Sequence, residues 1–138
     1  MLPRKVAAKV DIRLVPDMDK NEILQKLRKH LDKHGFSDVQ VHILQGCYNW
    51  SKTSADADIV KATITAAKMF GVDSYLWPTY YASTPTVAFS EPPLGLPVIG
   101  AGLGRMGRPH EVDEFFTVEG LRLYEKYVVA FLNEYAKL

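Results

Sequence analysis

The stretch Leu96-Pro97-Val98-Ile99-Gly100-Ala101 decides the interpretation of the fold, and Gly102-Leu103-Gly104-Arg105-Met106-Gly107 follows it directly. Its six residues carry no charged or hydrogen-bonding side chain. A short apolar run of this kind is typical of a strand in a parallel sheet that is covered on both faces. Because helical patterns flank this strand at a distance on both sides, we predict an α/β fold.

The chain around this strand, residues 47–138, predicts an α-β-α-β-α order. A helix is expected from about Ala55 to Phe70, and a short strand from Val72 to Trp77. The polar, aromatic stretch Thr79–Thr86 leads into a short helix, and Gly102–Glu114 forms a loop. The last element is a long helix from about Val118 to Tyr135, with a core stripe made of Leu121, Tyr124, Val128, Phe131 and Leu132.

Residues 1–46 predict a separate β-α-β lobe. Apolar and polar residues alternate from Lys5 to Val15, which indicates a strand that is covered on one side. Asp17 or Asp19 can cap a helix that Gly35 ends. A second strand is expected over Val39–Leu44. The composition then becomes polar, so we place the boundary between the two parts near Gly46.

Composition excludes several classes of partner. The net charge of +1 provides no broad field for nucleic acid or for an anionic membrane. No apolar run reaches the roughly 20 residues that a membrane-spanning helix needs. Cys47 is the single cysteine, and the absence of an internal disulfide fits a reducing compartment. We therefore expect a cytoplasmic protein that binds neither nucleic acid nor membranes.

The glycines of Gly102–Gly107 match the dinucleotide-binding pattern G-x-G-x-x-G. That pattern holds a pyrophosphate only where a helix opens immediately and presents its N-terminal N–H groups. Arg108 and Pro109 follow the glycines instead, and no helical pattern begins before about Thr117. We therefore reject a dinucleotide site and interpret the stretch as a flexible loop.

The loop after the apolar strand carries the residues best suited to chemistry. His110 lies there, with Asp113 and Glu114 close behind. Loops at the carboxyl edge of a parallel sheet collect functional groups, and imidazole with carboxylates suits zinc. By composition alone, a solvated surface histidine is the favoured interpretation. His30 and His34 lie near a helix C-terminus and His42 on the polar face of a strand, which indicates structural roles.

Three separate segments resemble one family. They are Ala8-Lys9-Val10-Asp11-Ile12-Arg13 before Leu14-Val15-Pro16, then Trp77-Pro78-Thr79-Tyr80-Tyr81-Ala82-Ser83, then Gly107-Arg108-Pro109-His110-Glu111-Val112-Asp113-Glu114. In their order and spacing they resemble the C-terminal part of the zinc metallopeptidases and deacylases. This family contains carboxypeptidase G, acetylornithine deacetylase, succinyl-diaminopimelate desuccinylase and carnosine dipeptidase. The resemblance covers nearly the whole chain.

The resemblance implies a fold and roles for individual residues. Residues 1–46 would be the β-α-β half of a ferredoxin-like lid or dimerisation domain, and residues 47–138 the C-terminal part of a zinc-exopeptidase-like catalytic domain. His110 would be a ligand of one of two zinc ions. Arg13 would bind the substrate carboxylate, although an exposed ion pair is the other interpretation of this arginine. Ala82 would offer backbone groups to the substrate, with Ser83 beside it.

The implied function is cleavage of peptide or N-acyl amide bonds next to a free carboxylate. The other zinc ligands and the catalytic base of the family are not visible here, so we expect the isolated chain to be inactive and to need the N-terminal half of the enzyme. No catalytic residue is assigned to it. The alternative is a non-catalytic dimerisation or interaction module. Open strand edges recruit further strands, so a homo-oligomer is expected.

Overall fold

The computed structural model describes residues 4–78 and 84–138. Its elements are α1 (Lys20–Lys33), α2 (Asp58–Lys68), α3 (Val87–Ser90), β1 (Met106–Gly107), β2 (Phe115–Phe116) and α4 (Val118–Tyr135). The strands β1 and β2 pair antiparallel, so the fold combines helices with a small antiparallel sheet. Among the described helices, none has the length and apolar composition needed to cross a bilayer.

The chain divides into two compact units. The described part of the first unit is residues 4–51 and 84–87, and that of the second is residues 52–78 and 88–138. Helix α1 belongs to the first unit, whereas α2, the two strands and α4 belong to the second. The assignment of residues 1–46 to a lid domain and of residues 47–138 to a catalytic domain stays a prediction.

Helix α1 begins where the sequence predicts. The Asp19 carboxylate accepts hydrogen bonds from the backbone N–H groups of Asn21 (2.8 Å) and Glu22 (3.1 Å), which otherwise lack partners at a helix start. The Asn49 side chain accepts the N–H of Lys20 at 2.9 Å, so a residue far along the chain completes the cap. Gly35 follows the last turn with a φ of 81°, as predicted for a helix C-terminus.

Arg28 fixes the chain that returns after α1. Its guanidinium donates to the carbonyl oxygens of Val39 (2.5 Å) and Phe36 (2.9 Å) and to the Asp32 carboxylate (2.8 Å). Bonds that involve a charged group are the stronger ones. Residues 36–39 are therefore held against α1 by Arg28 together with the Phe36 N–H, which donates to the Leu31 carbonyl oxygen at 2.9 Å. Local sequence patterns do not predict this role of Arg28.

We expect the N-terminal cap of α1 to weaken at acidic pH. The pKa of Asp19 is lowered from its ordinary value, chiefly by the hydrogen bond from the Glu22 N–H. A lowered pKa means that the carboxylate stabilises the folded helix start above its ordinary pKa and stops doing so as pH falls through the lowered value. We expect the amides of Asn21 and Glu22 to exchange faster with solvent over that acidic range, after correction for the intrinsic pH dependence, as measured by NMR.

The matched control is Asp19→Asn, which keeps a side-chain acceptor but does not titrate at that position. This variant should show no acid transition at the amides of Asn21 and Glu22. An unchanged transition in Asp19→Asn would contradict the assignment to Asp19.

The core of the second unit lies between α2 and α4. Ala66 and Ala67 of α2 are buried against Tyr127 and Ala130 of α4. The small side chains of α2 leave room for the Tyr127 ring, and they let the two helices approach closely. Phe70, Leu103, Val128 and Phe131 pack at the margin of this cluster.

The predicted core stripe of α4 is therefore partly wrong. Leu121 is 43% exposed, Tyr124 45% and Leu132 57%, although Val128 and Phe131 do pack against the cluster. Helix α4 instead directs the neighbouring face, which carries Tyr127 and Ala130, toward α2. This helix has two apolar faces, and periodicity alone does not say which of them a given neighbour covers.

Four predicted strands are absent from the described residues. The segments Lys5–Val15, Val39–Leu44, Val72–Trp77 and Leu96–Ala101 contain no hydrogen-bonded ladder. A strand forms only where a second backbone offers matching N–H and C=O groups. These segments have the composition of strands, but the described residues give them no partner strand. The predicted parallel sheet is accordingly not seen in residues 4–78 and 84–138.

Candidate functional site

Residues 102–105 form the loop that precedes the candidate site, and this loop contacts α4 through two glycines. A Cβ added to Gly104 would lie 2.7 Å from the carbonyl oxygen of Gly120, and one added to Gly120 would lie 2.6 Å from the backbone nitrogen of Arg105. The Thr117 N–H also donates to the Arg105 carbonyl oxygen at 3.0 Å. The loop thus lies directly on the first turn of α4, where no larger side chain fits.

The other two glycines of the pattern also have packing roles. A Cβ on Gly102 would lie 3.0 Å from the Tyr124 ring, and one on Gly107 would lie 2.7 Å from the Phe115 ring. No helix opens after Gly107, and the next helix, α4, begins at Val118, as the sequence predicted. The pattern G-x-G-x-x-G therefore serves packing around α4 in this chain.

His110 lies in the loop that joins β1 and β2. Arg108, His110 and Asp113 have positive φ values of 55°, 64° and 62°. Such values are uncommon for residues other than glycine and cluster at functional sites. The His110 N–H donates to the Glu114 carboxylate at 3.4 Å, and the guanidinium of Arg108 lies 3.8 Å from the Asp113 carboxylate. Both contacts are long and exposed to solvent, so they contribute little to the stability of the loop.

The described residues alone do not form a zinc site. Within residues 4–78 and 84–138, no three side chains of His, Cys, Asp or Glu are grouped so that they could hold a metal ion. A catalytic zinc takes three protein ligands and a water. The Glu114 carboxylate bonds to the backbone of the same loop, and His110 offers a single exposed imidazole. The role of His110 as a ligand stays a prediction.

The predicted substrate-binding residues lie in the first unit or outside the described residues. The guanidinium of Arg13 is 3.6 Å from the Asp11 carboxylate, and both side chains are largely exposed to solvent. An exposed pair of this kind contributes little to stability. Ala82 and Ser83 lie outside the described residues.

A cavity of about 380 Å³ lies beside the first turns of α4. Its walls come from residues 101–106, from Phe116 and from Gly120, Leu121 and Tyr124. Arg105 is the charged residue of this lining, and the other side chains are apolar or aromatic. The cavity therefore suits an apolar occupant better than a charged substrate.

Thr53 is a residue whose role the sequence did not indicate. Its hydroxyl accepts the Val98 N–H at 2.9 Å and donates to the Val98 carbonyl oxygen at 2.6 Å. One side chain thus satisfies both backbone groups of a residue 45 positions away. Local patterns carry no signal for so distant a contact.

Comparison with known proteins gives one informative likeness. No protein-family model matches the sequence, and no curated protein matches it. The chain is similar to the crystal structure of an M20 family metallo-carboxypeptidase, Sso-CP2 from Sulfolobus solfataricus. The TM-score is 0.76 and the sequence identity 28%, over 91% of this chain and 29% of that one.

This likeness supports the M20 peptidase family and the expected resemblance to a metal-dependent hydrolase. The chain spans 29% of the solved protein's length, so the likeness covers part of that protein. Helices with a small antiparallel sheet are consistent with a fragment of an M20 peptidase domain.

Proposed function

We propose that this chain is the C-terminal part of a zinc-dependent metallopeptidase or N-deacylase. The complete enzyme would cleave peptide or N-acyl amide bonds next to a free carboxylate. The observation that carries the proposal is the likeness to a metallo-carboxypeptidase over 91% of the chain. A carboxypeptidase removes a residue that bears a free carboxylate, which agrees with the substrate class that the sequence resemblance implies.

In this proposal His110 is one zinc ligand of a site that the rest of the enzyme completes. The positive φ of His110 supports the assignment, because unusual backbone conformations of residues other than glycine cluster at active sites and ligand-binding sites. Two zinc ions would polarise the scissile carbonyl group and activate water when bound. Since the described residues do not form a metal site by themselves, no catalytic step is assigned to this chain.

Arg13 would bind the substrate carboxylate. A guanidinium donates two parallel hydrogen bonds to a carboxylate, a geometry that an ammonium group does not reproduce. Ala82 would add backbone hydrogen bonds to the substrate, with Ser83 beside it. Residues 1–46 would form half of a ferredoxin-like lid, and residues 47–138 the end of the catalytic domain.

A hybrid enzyme tests this function. In the hybrid, this chain replaces the matched 29% of the Sulfolobus metallo-carboxypeptidase. We expect the hybrid to hydrolyse an N-acylated dipeptide with a free C-terminal carboxylate, and to lose this activity when a chelator removes zinc. The same dipeptide with an amidated C-terminus should be a poor substrate, because the carboxylate would no longer pair with Arg13.

The unmodified Sulfolobus enzyme serves as the control for the assay and for chelation. A folded hybrid that binds zinc but hydrolyses neither substrate would contradict the proposed function. Hydrolysis that persists after zinc removal would contradict its metal dependence.

A second candidate is a non-catalytic interaction or dimerisation module derived from such an enzyme. The exposed apolar residues of α4 favour it, because large exposed patches of this kind mark interaction sites. A homo-oligomer in light scattering, with no gain of activity in the hybrid, would favour this candidate. The cytoplasmic location and the absence of nucleic-acid and membrane partners stay predictions in both cases.

A further inference from the structure

Two histidines lie side by side at the C-terminal end of α1. His30 belongs to the last turns of the helix, and His34 is the residue at its C-terminal cap. Their imidazole rings have centres 4.4 Å apart and planes tilted by 44°. Residues four positions apart share one face of a helix, so the rings meet because the backbone keeps helical spacing between them.

Hydrogen bonds fix the backbone of this turn. The N–H of His34 donates to the carbonyl oxygen of His30 at 3.2 Å and to that of Leu31 at 3.1 Å. The bond to His30 is the ordinary helical bond between residues four apart. Unfolding of this turn would separate the two rings, so their contact depends on the helix.

The ring nitrogens of the pair are available to a ligand. No hydrogen bond within residues 4–78 and 84–138 uses a ring nitrogen of His30 or His34, and both residues are exposed. A neutral imidazole carries one nitrogen with a lone pair, and this nitrogen is a good ligand for zinc, copper and nickel ions. The pair therefore presents two metal-binding groups to solvent.

The distance between the rings suits a shared ion. Zinc binds a histidine nitrogen at about 2.0–2.1 Å. Two imidazoles bound to one ion, at an angle of about 90–110° to each other, then have ring centres about 4.5–5.3 Å apart. The observed 4.4 Å lies just below this range. Because both side chains are exposed, small rotations of the rings close the difference.

Helical histidines at this spacing are suited to zinc. Two histidines four positions apart on one helix face bind zinc in the H-E-x-x-H motif, and zinc fingers use a similar spacing. In this chain Leu31 follows the first histidine, where H-E-x-x-H has its catalytic glutamate. The pair therefore matches the metal-binding part of that motif without a catalytic base.

The charges around the pair do not exclude a cation. Lys26 lies one turn before His30 and bonds to the Glu22 carboxylate at 2.8 Å, so its charge is paired. Lys29 and Lys33 are exposed, and each lies about 100° around the helix from the histidine next to it. Salt screens the repulsion between exposed charges of this kind and a bound ion.

We propose that His30 and His34 together bind one divalent transition-metal ion, with water in the remaining coordination positions. Zinc and copper ions fit two imidazole ligands, whereas magnesium and calcium ions require oxygen ligands. The bound ion bridges the end of α1. The pair lies in the first unit and His110 in the second, and the inference does not rest on the proposed function.

The metal bridge stabilises α1. This helix has no buried residue in the part of the chain that the structure describes, whereas α2 and α4 each have several. Burial therefore contributes less to the stability of α1. An ion that needs both histidines binds the folded turn and not the unfolded one, so its binding energy adds to the stability of the turn. Such a bridge is a structural role, as the sequence indicated for both histidines.

Calorimetric titration of zinc into the 138-residue chain tests the site. We expect one ion per chain with a dissociation constant on the order of 10 μM, because two protein ligands bind more weakly than the four of a structural zinc site. His30→Gln and His34→Gln should each weaken binding by at least about 10-fold. Glutamine is a better helix former than histidine, so both variants keep the helix.

Two matched controls replace the other histidines of the chain. His42→Gln, at an exposed position of the first unit, and His110→Gln should both leave the affinity unchanged. A loss of binding in either control would assign the ion elsewhere and overturn the proposal. Binding that is unchanged in His30→Gln or in His34→Gln would overturn it as well, since the ion would then not be shared.

Amide exchange at His34 shows whether the ion bridges the turn. Zinc at about 100 times its dissociation constant should slow this exchange by up to about 100-fold, because opening of the turn would release the ion. Magnesium at the same concentration should have no effect, and neither should zinc in His30→Gln. Zinc binding without slower exchange at His34 would overturn the proposal, and it would leave the proposed function of His110 untouched.

Discussion

Replacing His110 by alanine is expected to abolish zinc-dependent hydrolysis by the hybrid enzyme. A catalytic zinc with three protein ligands loses one of them, so both its affinity and its geometry change. Mutation of a residue that only orients a metal ligand typically lowers metal affinity or activity by about 10–100-fold. Loss of the ligand itself should have a larger effect. The measurements are kcat/KM for the N-acylated dipeptide and the zinc content of the purified variant.

His42→Ala is the matched control, because His42 is also an exposed histidine and lies in the first unit. It should leave zinc content and kcat/KM close to those of the unsubstituted hybrid. If His110→Ala retains full activity and zinc, His110 is not a ligand. The likeness to metallopeptidases would then hold for the fold but not for a metal-binding role of His110.

Gly120→Ala is expected to destabilise the chain although the residue lies in a helix. At an ordinary helix position, alanine is more favourable than glycine by about 1 kcal/mol. Here the added Cβ would meet the Arg105 backbone nitrogen at 2.6 Å and the Thr117 hydroxyl oxygen at 2.7 Å. Because backbone has to shift, we expect a net loss of about 1–3 kcal/mol, which is the usual cost of overpacking.

The readout is amide exchange at Thr117, whose N–H bonds to the Arg105 carbonyl oxygen. This exchange should become faster in Gly120→Ala. It should also become faster in Gly104→Ala, because the added Cβ would lie 2.7 Å from the Gly120 carbonyl oxygen. Gly100→Ala is the control, since a Cβ there meets no atom within 4 Å. Faster exchange in Gly100→Ala, or unchanged exchange in Gly120→Ala, would contradict the contact as described.

Helices were predictable from the sequence because their determinants are local. The long helix α4 has the predicted bounds Val118–Tyr135, and Asp19 caps α1 as expected. Capping side chains, glycine after the last turn and apolar spacing all act within a few residues of each other. The short helix that ends near Phe89 was predicted for the same reason.

Strands were not predictable in the same way. The segment Leu96–Ala101 has the composition of a buried strand, yet in the described residues its hydrogen bonds go to the Thr53 side chain and to the Phe89 carbonyl oxygen, and none of them joins it to another strand. Composition indicates what a segment can form, whereas a ladder depends on a partner that is distant or absent. The hairpin of β1 and β2 was missed because its strands are only two residues long.

The candidate site was only partly predictable. The order of residues showed that His110 follows an apolar segment. The family resemblance implied that His110 binds zinc and that Arg13 binds the substrate carboxylate. The backbone shape around His110 gave no usable signal, because glycine is the residue that marks positive φ most strongly and positions 108, 110 and 113 carry arginine, histidine and aspartate. Histidine and aspartate adopt positive φ more often than most other residues, but not often enough to predict it from sequence.

The hydroxyl of Thr53 also limits how the chain can aggregate. A segment with two open edges can add strands on both sides, and such stacking continues without limit in fibrils. Both backbone groups of Val98 are already bonded to Thr53, so Val98 does not offer them to a further strand. One side chain thereby removes, at this residue, the main-chain groups that aggregation of an apolar segment would use.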